Sequence, residues 1–346
     1  MKIISDYSLE QLSEILSGFG EPKFRARQIF RAVHQGKRFK DMTDLKISLR
    51  ERLEKEFVDN PCEIIEELIS KDGTRKYLFK LYDGNIIEGV LMKYKYGYTQ
   101  CVSTQVGCRM GCAFCASTLG GLVRNLSQGE ILGQVLEVNK RFGGNLDKRQ
   151  VTNVVLMGSG EPFDNYDNVI NFLKLISCSD GINISPRNIS ISTCGIVPKM
   201  LDIAKENLPI NLTVSLHSPF DEKRKKIMPI AKAYSIKEVI NACRNYFEIT
   251  KRRVYFEYSL INGENDTKEC ADKLCELLRG FPCHVNLIKL NAVKESGLKS
   301  TGDKRAQEFM KILEDKGISV TIRRSMGADI EGACGQLRRK FLDKKD

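Results

Sequence analysis

Apolar residues in the first part of the chain recur at the three-to-four-residue spacing of a helix. Ser8 and Gln11 have the pattern of a capping box at the start of the first predicted helix, and Gly18 marks its end. Its apolar face consists of Leu9, Leu12, Ile15 and Leu16. A second helix is predicted after Pro22 and a third near residues 45–57. We therefore expect a small helical N-terminal accessory domain spanning residues 1–72.

Beyond residue 73 the pattern changes to that of β-strands. Residues 75–82 and 86–94 flank Asp83-Gly84, which predicts a hairpin, and we assign residues 73–99 to this connecting hairpin. Further strands are predicted at residues 100–103, 153–157, 188–193, 211–216, 253–260, 285–289 and 319–323. The helices between them include 127–142 and 235–247, which both begin with capping boxes.

Repeated strand–helix units imply a parallel sheet with right-handed crossovers. The fold class is therefore α/β, and residues 100–346 are expected to form an open or closed α/β barrel. A doubly wound sheet is the alternative. Both architectures place their chemistry at the carboxyl ends of the strands.

The chain is basic, with 55 Lys and Arg against 44 Asp and Glu and a formal net charge of +11. This surplus favours a polyanionic partner such as nucleic acid, although it is equally compatible with a basic enzyme of another kind. Lys23, Arg27 and Arg31 fall four residues apart on the second predicted helix. A solvated face would show the same stripe, but we favour contact with RNA phosphates.

Three cysteines lie close together in the run Gly107-Cys-Arg-Met-Gly-Cys-Ala-Phe-Cys115. Thiolates at Cys108, Cys112 and Cys115 would hold three irons of a [4Fe-4S] cluster, and no fourth cysteine follows at ligand spacing, so one iron would stay open to a small molecule. Structural zinc requires four ligands. The histidines, His34, His217 and His284, lie far from the run. The spacing therefore favours a cluster over zinc or inert thiols.

The absence of a signal peptide makes a disulfide framework a poor explanation for these cysteines. No apolar run reaches the roughly 20 residues of a membrane span. We therefore expect a cytoplasmic protein that does not enter a membrane.

Small and polar residues follow several predicted strands. Gly158-Ser-Gly-Glu-Pro162 would let the backbone approach a ligand, and Glu161 would pair with an ammonium group, although many such segments are only turns. Hydroxyl residues stand at the ends of two later strands, in Ser192-Thr-Cys-Gly195 and Ser215-Leu-His217, and Asn291 follows another. They would bind a ribose or carboxylate, or merely cap the loops that follow.

These motifs carry a specific resemblance. The Cys108-x3-Cys112-x2-Cys115 run with its aromatic Phe114, together with Gly160-Glu161-Pro162, resembles the radical S-adenosylmethionine enzymes, whose fold is a partial (βα)6-type barrel. Longer segments resemble the ribosomal RNA adenine-C2 methyltransferases of the RlmN family over almost the whole chain: Gln105-Val-Gly-Cys108, Cys115-Ala-Ser-Thr-Leu-Gly-Gly-Leu122, Arg124-Asn-Leu126, Ser215-Leu-His217 and Asp329-Ile-Glu-Gly-Ala-Cys-Gly-Gln336.

The resemblance implies a role for each motif residue. Cys334 matches the cysteine that accepts a methyl group from a first S-adenosylmethionine, while a second molecule supplies the radical. Cys101 matches the partner that then forms a disulfide with Cys334, and Glu88 matches the residue that takes the proton from C2. The positions that match cofactor contacts are Gly160, Glu161, Ser192, Ser215, Leu216, His217 and Asn291. Ser159 and Cys194 depart from the common pattern, which affects the packing of the cofactor rather than the reaction.

The family's substrate is adenine 2503 of 23S ribosomal RNA, and dual action on adenine 37 of transfer RNA occurs within it. The main alternative is the related C8-methylating, antibiotic-resistance branch, Cfr, which Met92-Lys-Tyr-Lys-Tyr-Gly97 and His217-Ser-Pro219 also resemble. A radical enzyme acting on a small molecule and a zinc-bearing RNA-binding module are further alternatives. By analogy we expect a flavodoxin-type electron donor, and we expect a monomer.

Overall fold

The computed structural model describes residues 1–290, 297–330, 337–338 and 341. The N-terminal segment contains three helices, α1 (Leu9–Gly18), α2 (Phe24–His34) and α3 (Ile47–Glu56), and two short parallel strands, β1 (Lys2–Ile3) and β2 (Phe57–Val58). The predicted capping box is confirmed, because Ser8 Oγ accepts a hydrogen bond from Gln11 N at 3.2 Å and Gln11 Oε1 accepts one from Ser8 N at 2.9 Å.

Three antiparallel strands follow, β3 (Cys62–Ile69), β4 (Arg75–Leu81) and β5 (Ile86–Tyr94). The hairpin at Asp83-Gly84 is confirmed, but β3 lies where we expected helix. Its sequence, Cys-Glu-Ile-Ile-Glu-Glu-Leu-Ile, alternates poorly, and a shift in register between Ile64 and Glu66 interrupts its pairing. The strand forms because it pairs with β4 across the short turn at residues 70–74, and its own apolar pattern does not indicate this pairing.

The barrel begins with β6 (Gly97–Cys101), which pairs with β5 on one side and with a parallel strand on the other. A separate antiparallel pair, β7 (Gln105–Gly107) and β8 (Leu122–Asn125), brackets the cysteine run. The remaining strands are β9 (Val151–Leu156), β10 (Ile189–Thr193), β11 (Asn211–Ser215), β12 (Val254–Leu260), β13 (Cys283–Lys289) and β14 (Val320–Ile322).

Seven helices alternate with or extend from these strands: α4 (Gln128–Arg141), α5 (Tyr166–Ile176), α6 (Val197–Lys205), α7 (Asp221–Ile227), α8 (Ile236–Thr250), α9 (Lys268–Leu278) and α10 (Asp303–Asp315). The parallel strands follow one another across the sheet in chain order, from β6 and β9 to β14. A doubly wound sheet would reverse direction, so that alternative is wrong. Six strand–helix units lead to β14, which confirms the partial (βα)6 barrel.

The helical N-terminal segment packs against the barrel through buried polar contacts. Asp6 Oδ1 accepts a hydrogen bond from Gly129 N at 2.7 Å, and His34 Nδ1 accepts one from Ile182 N at 3.2 Å. The antiparallel strands extend the barrel sheet, so that β3 to β6 and β9 to β14 form a single sheet of ten strands within the described residues. No helix of these residues is long and apolar enough to cross a bilayer.

Candidate active site in the barrel

A cavity of about 600 Å³ lies within the barrel and reaches the carboxyl ends of its strands. Nine of the residues selected from the sequence line it: Cys101, Cys108, Cys112, Cys115, Gly160, Glu161, Ser192, Ser215 and His217. They come from five separate stretches of chain that are brought together because parallel strands end at one edge of the sheet. The other four residues are Glu88 and Leu216, which do not line the cavity, and Cys334 and Asn291, which lie outside the described residues.

Backbone hydrogen bonds hold the cysteine run in a compact loop. Cys108 N donates to Gly121 O at 2.9 Å, and Cys115 N donates to Cys112 O at 3.0 Å. Ala113 N donates to Ile227 O at 2.9 Å, which ties the loop to the end of α7. The loop also packs on the apolar residues around Met228. The three thiols therefore sit on a fixed frame rather than on a free loop.

Two of these thiols, those of Cys108 and Cys112, are in an environment that favours their protonated form while no metal is bound. Burial raises the pKa of Cys108 to about 12 and that of Cys112 well above its ordinary value, and the neighbouring Cys115 raises both further. Thiolates ligate metals, so a metal that binds here must displace these protons.

Glu161 is fully enclosed at the turn after β9. Its Oε2 accepts a hydrogen bond from Cys194 N at 2.8 Å, and its Oε1 accepts one from Phe163 N at 3.1 Å. Burial nevertheless raises the pKa of the carboxyl group. Each carboxylate oxygen can accept a second hydrogen bond. A cationic ligand that donates to Glu161 would therefore stabilise the buried negative charge.

The adjacent glycine sets the conformation of the turn that carries Glu161. Gly160 has a φ of 105° in the region that favours glycine, and a Cβ there would lie 2.6 Å from the side chain of Gln105. Gln105 Oε1 accepts a hydrogen bond from Glu161 N at 2.9 Å, which fixes the turn to the start of the cysteine loop.

His217 is buried with a φ of 55° just beyond β11. Its Nδ1 accepts a hydrogen bond from Ser259 N at 2.9 Å, so the neutral ring carries its proton on Nε2. Burial, with a smaller contribution from Arg224, lowers the pKa of His217 to about 3. The ring contacts Phe114 edge-on, with 4.7 Å between centroids, so this neutral donor is held against the cysteine loop.

Leu216 contributes its backbone rather than a cavity wall. Leu216 N donates to Glu257 O at 3.1 Å, and Leu216 O accepts a hydrogen bond from Arg224 Nε at 3.1 Å. The Leu216 side chain is fully buried. It therefore supports Ser215 and His217, which lie on either side of it and do line the cavity.

Three charged residues in and around the cavity were not anticipated. Glu257 on β12 forms an ion pair with Arg323 just after β14, with 3.3 Å between Oε1 and Nη1, and both line the cavity. A lone Glu in the apolar strand Val-Tyr-Phe-Glu-Tyr-Ser-Leu was a usable signal. Arg224 on α7 is fully buried, but its charged surroundings, Asp221-Glu-Lys-Arg-Lys-Lys226, are typical of a solvated helix.

Glu88 lies on β5, on the same face of the strand as Val90, and Val90 lines the cavity. It is buried and forms an ion pair with Lys76 Nζ at 3.2 Å, and its carboxylate accepts a hydrogen bond from the backbone N–H of Arg338. Glu88 is therefore enclosed by the fold rather than facing solvent. Cys101 ends β6 and pairs in register with Val90.

The donor set fits an iron–sulfur cluster. Three thiols line one cavity beside a buried carboxylate, and within the described part of the chain Arg224 Nη1 is a buried donor without a hydrogen-bond acceptor. Among the described residues, no three His, Cys, Asp or Glu side chains converge on the position of a single metal ion. A cube presents a separate iron to each thiolate, so its ligands need not converge.

Comparisons with known proteins agree with this geometry. The model of the radical SAM superfamily matches residues 102–278, and that of the ribosomal RNA large subunit methyltransferase N-terminal domain matches residues 4–58. The chain is 51% identical to the probable dual-specificity RNA methyltransferase RlmN of Clostridium acetobutylicum, over 100% of this chain and 99% of the relative. It is also 51% identical to the protein of that name from Lachnoclostridium phytofermentans, over 99% and 95% of the two chains.

A solved structure extends the agreement to three dimensions. The crystal structure of a radical SAM methyltransferase from Sphaerobacter thermophilus has a TM-score of 0.93 and 41% identity, and it covers 97% of this chain and 99% of its own. Membership of the superfamily implies an iron–sulfur cluster and S-adenosylmethionine as cofactors. The chain belongs to the RlmN family of radical S-adenosylmethionine RNA methyltransferases.

Proposed function

We propose that this protein methylates C2 of an adenine in 23S ribosomal RNA, of the adenine 2503 type, by a radical mechanism. The observation that carries the proposal is the convergence of Cys108, Cys112 and Cys115 with Glu161 and Ser215 in one cavity. Carbon 2 is an electron-poor aromatic position that ordinary methyl transfer to a nucleophile does not reach. A radical route is therefore the chemistry that such a site would supply.

We assign the three loop cysteines as the ligands of a [4Fe-4S] cluster with one iron open to S-adenosylmethionine. When bound, the reduced cluster would supply the electron that splits the cofactor into methionine and a 5′-deoxyadenosyl radical. Glu161 would hold the methionine ammonium group, because this cation offsets the burial of the carboxylate. Ser192, Ser215, His217 and Asn291 would contact the rest of the cofactor, with the neutral His217 ring donating through Nε2.

Cys334, Cys101 and Glu88 would carry the methyl group and complete its transfer. In this proposal Cys334 takes a methyl group from a first S-adenosylmethionine, so two molecules are used per turnover. After the carbon has bonded to C2 and Glu88 has taken the C2 proton, the Cys101 thiolate would attack the sulfur of Cys334. The sulfur–carbon bond would break as the disulfide forms, and the one electron left over would return to the cluster. The position of Cys101 beside the cavity and the burial of Glu88 two residues from Val90 support these roles.

RNA would reach the cavity with the aid of the N-terminal segment. We propose residues 1–72 as an RNA-binding accessory domain, residues 73–99 as the connecting hairpin, and residues 100–346 as the barrel with its C-terminal cysteine segment. On α2, Arg27 is exposed and forms an ion pair with Asp180 at 2.6 Å, so its contact with a phosphate would replace an existing surface pair. The adenine must leave its stack to enter the cavity.

The test is anaerobic reconstitution with iron and sulfide, followed by turnover on deproteinised 23S RNA with methyl-labelled S-adenosylmethionine. Mass spectrometry of the digested RNA should find the labelled methyl group on C2 of one adenine. Label on C8 would instead assign the protein to the alternative branch. Parallel reactions with transfer RNA and with a flavodoxin test the second substrate, adenine 37, and the electron donor. Absence of methylated RNA under reducing conditions would contradict the proposal.

A further inference from the structure

Arg224 carries a positive charge in the interior of the barrel, where such a charge requires a partner. Its side chain is fully buried, and it forms no ion pair with any carboxylate of the described residues. A buried charge that lacks a compensating charge destabilises a protein by several kcal/mol. The fold retains the guanidinium nonetheless, which indicates that something else at this position compensates it.

Part of the guanidinium has a clear structural role. Nε donates to Leu216 O at 3.1 Å, and Nη2 donates to Cys194 O at 2.7 Å and to Ser215 O at 3.3 Å. These carbonyls follow β10 and end β11, so Arg224 ties together the two strand ends that carry proposed cofactor contacts. Carbonyl dipoles solvate the cation but do not neutralise its charge.

The remaining nitrogen indicates where the compensating charge would come from. Nη1 is buried and has no hydrogen-bond acceptor among the residues that the structure describes. Cys112, one of the three loop cysteines, is within electrostatic reach of the guanidinium, and so is Cys194, which packs with Cys112 in one apolar cluster. Asp221, the carboxylate with the next largest influence, already accepts a hydrogen bond from Ile236 N at 2.8 Å. The loop cysteines become negative when they ligate metal as thiolates.

We propose that Arg224 is the counter-ion of the iron–sulfur cluster, a positioning residue whose charge stabilises the cluster and raises its reduction potential. The inference rests on the cluster ligands proposed above. Reduction adds one electron to a group that is already negative, because three thiolates outweigh the charge of the cube. A fixed cation nearby therefore favours the reduced form, as net charge and hydrogen bonding do at iron–sulfur sites in general.

Two substitutions separate charge from hydrogen bonding. Arg224→Lys keeps the charge but loses the planar fork that grips three carbonyls, whereas Arg224→Gln keeps some hydrogen bonding and loses the charge. Arg244 on α8 provides a matched control, because it also donates to two backbone carbonyls but lies far along the chain from the cysteine loop. Its Nη2 donates to Leu277 O at 3.3 Å and to Arg279 O at 2.8 Å. The Arg244→Gln variant should leave the cluster unchanged.

The measurement is an anaerobic redox titration of the reconstituted proteins followed by electron paramagnetic resonance, with iron and sulfide counted in each. We expect Arg224→Gln to disfavour reduction by at least tenfold, about 59 mV for a one-electron couple, while Arg224→Lys stays close to the wild type. Loss of the cluster in Arg224→Gln alone, with a wild-type potential in Arg224→Lys, would also support a role for charge.

Other outcomes would overturn the inference. Equal potentials in the wild type and Arg224→Gln, or equal shifts in both Arg224 variants, would show that the charge does not act on the cluster. Loss of the cluster from both variants would show that Arg224 acts only by holding the two strand ends together, which would also overturn the inference. A wild-type protein without iron and sulfide would overturn the proposed function and this inference together, whereas a wild-type cluster with unaltered potentials would overturn this inference alone.

Discussion

Lys76 and Glu88 form a buried ion pair on neighbouring strands, with 3.2 Å between Lys76 Nζ and Glu88 Oε2 and side chains only 0% and 3% exposed. Lys76 lies opposite Val90 in the register of β4 and β5, and Glu88 lies opposite Leu78, so the pair is diagonal across the two strands. The carboxylate also accepts the backbone N–H of Arg338, four residues beyond Cys334. The pair therefore joins the hairpin to the segment that follows the proposed methyl carrier.

Loss of one partner from this pair should cost far more stability than loss of both. Lys76→Met removes the lysine partner of a buried carboxylate, and we expect it to lower the free energy of unfolding by about 3–5 kcal/mol. The double variant Lys76→Met with Glu88→Leu should recover most of this loss, since both members of the buried ion pair are then replaced by apolar side chains. Urea unfolding of the three proteins tests the coupling, and a cost below about 1 kcal/mol for Lys76→Met would show that the pair contributes little.

Glu88→Gln should block methylation at a late stage. The amide keeps the shape of the side chain but cannot take a proton, so turnover should fall by roughly 10²–10⁴-fold, the usual contribution of a general base. The Glu88→Gln protein should keep the wild-type iron content and the wild-type level of methylation at Cys334, which peptide mass spectrometry measures. Cys334→Ala provides the comparison. This variant should retain its cluster, but it cannot accept the methyl group, so its turnover should be abolished. A wild-type rate in either variant would disprove the role of the residue concerned.

Gly107 should be essential to the geometry of the cysteine loop. Its φ is 78°, and a Cβ would lie 2.0 Å from Gly121 O, the atom that accepts the hydrogen bond from Cys108 N. Gly107→Ala must therefore displace that carbonyl and strain the backbone, by about 1–3 kcal/mol for the conformation alone. We expect the variant to hold less than half the wild-type iron after reconstitution.

The neighbouring Gly120 is the control for this substitution. A Cβ at Gly120 has no atom within 4 Å. Gly120→Ala should keep its iron, and equal iron contents in the two variants would show that the turn does not depend on glycine at position 107.

His34 should make the fold sensitive to acid. Burial lowers the pKa of His34 from 6.5 to about 3. Above pH 6.5 the ring is neutral in both folded and unfolded chains, but between pH 6.5 and 3 only the unfolded chain binds a proton. Stability should thus fall by about 1.4 kcal/mol for each pH unit within this window. His217, shifted in the same direction, adds a second contribution.

His34→Gln isolates the contribution of the first ring. The Gln side chain retains an acceptor for Ile182 N–H but does not titrate, so its unfolding free energy should fall less steeply below pH 6.5 than that of the wild type. Denaturant unfolding at a series of pH values provides the measurement. Parallel curves for the two proteins would show that His34 does not titrate in this way.

The sequence predicted those features that depend on local patterns or on long ordered motifs. The capping boxes at Ser8, Ser127 and Ser235 form as expected, because each depends on residues three positions apart. The cysteine run reaches the cavity because it follows a barrel strand. In contrast, β3 exists only because β4 pairs with it, and this pairing cannot be read from its own residues.

Arg224 shows the same limit at the site itself. Its neighbours along α7 are mostly charged, so the local pattern indicates a solvated helix. The side chain is nevertheless buried because it reaches carbonyls at the ends of two distant strands, Cys194 O and Leu216 O. Burial of a cation depends on tertiary contacts that no local pattern records, whereas Glu257 could have been suspected from its position within an apolar strand.

The central claim is that three cysteines hold a cluster whose fourth iron is open to S-adenosylmethionine. Cys194 is the sharpest internal test, because its buried thiol lines the same cavity and packs near Cys112. The measurement is Mössbauer spectroscopy of ⁵⁷Fe-reconstituted wild type and Cys194→Ser, with and without S-adenosylmethionine. We predict a [4Fe-4S] spectrum in both proteins, with one iron site altered by the cofactor. Zinc in place of iron, four iron sites that ignore the cofactor, or a Cys194→Ser protein without its cluster would contradict the account.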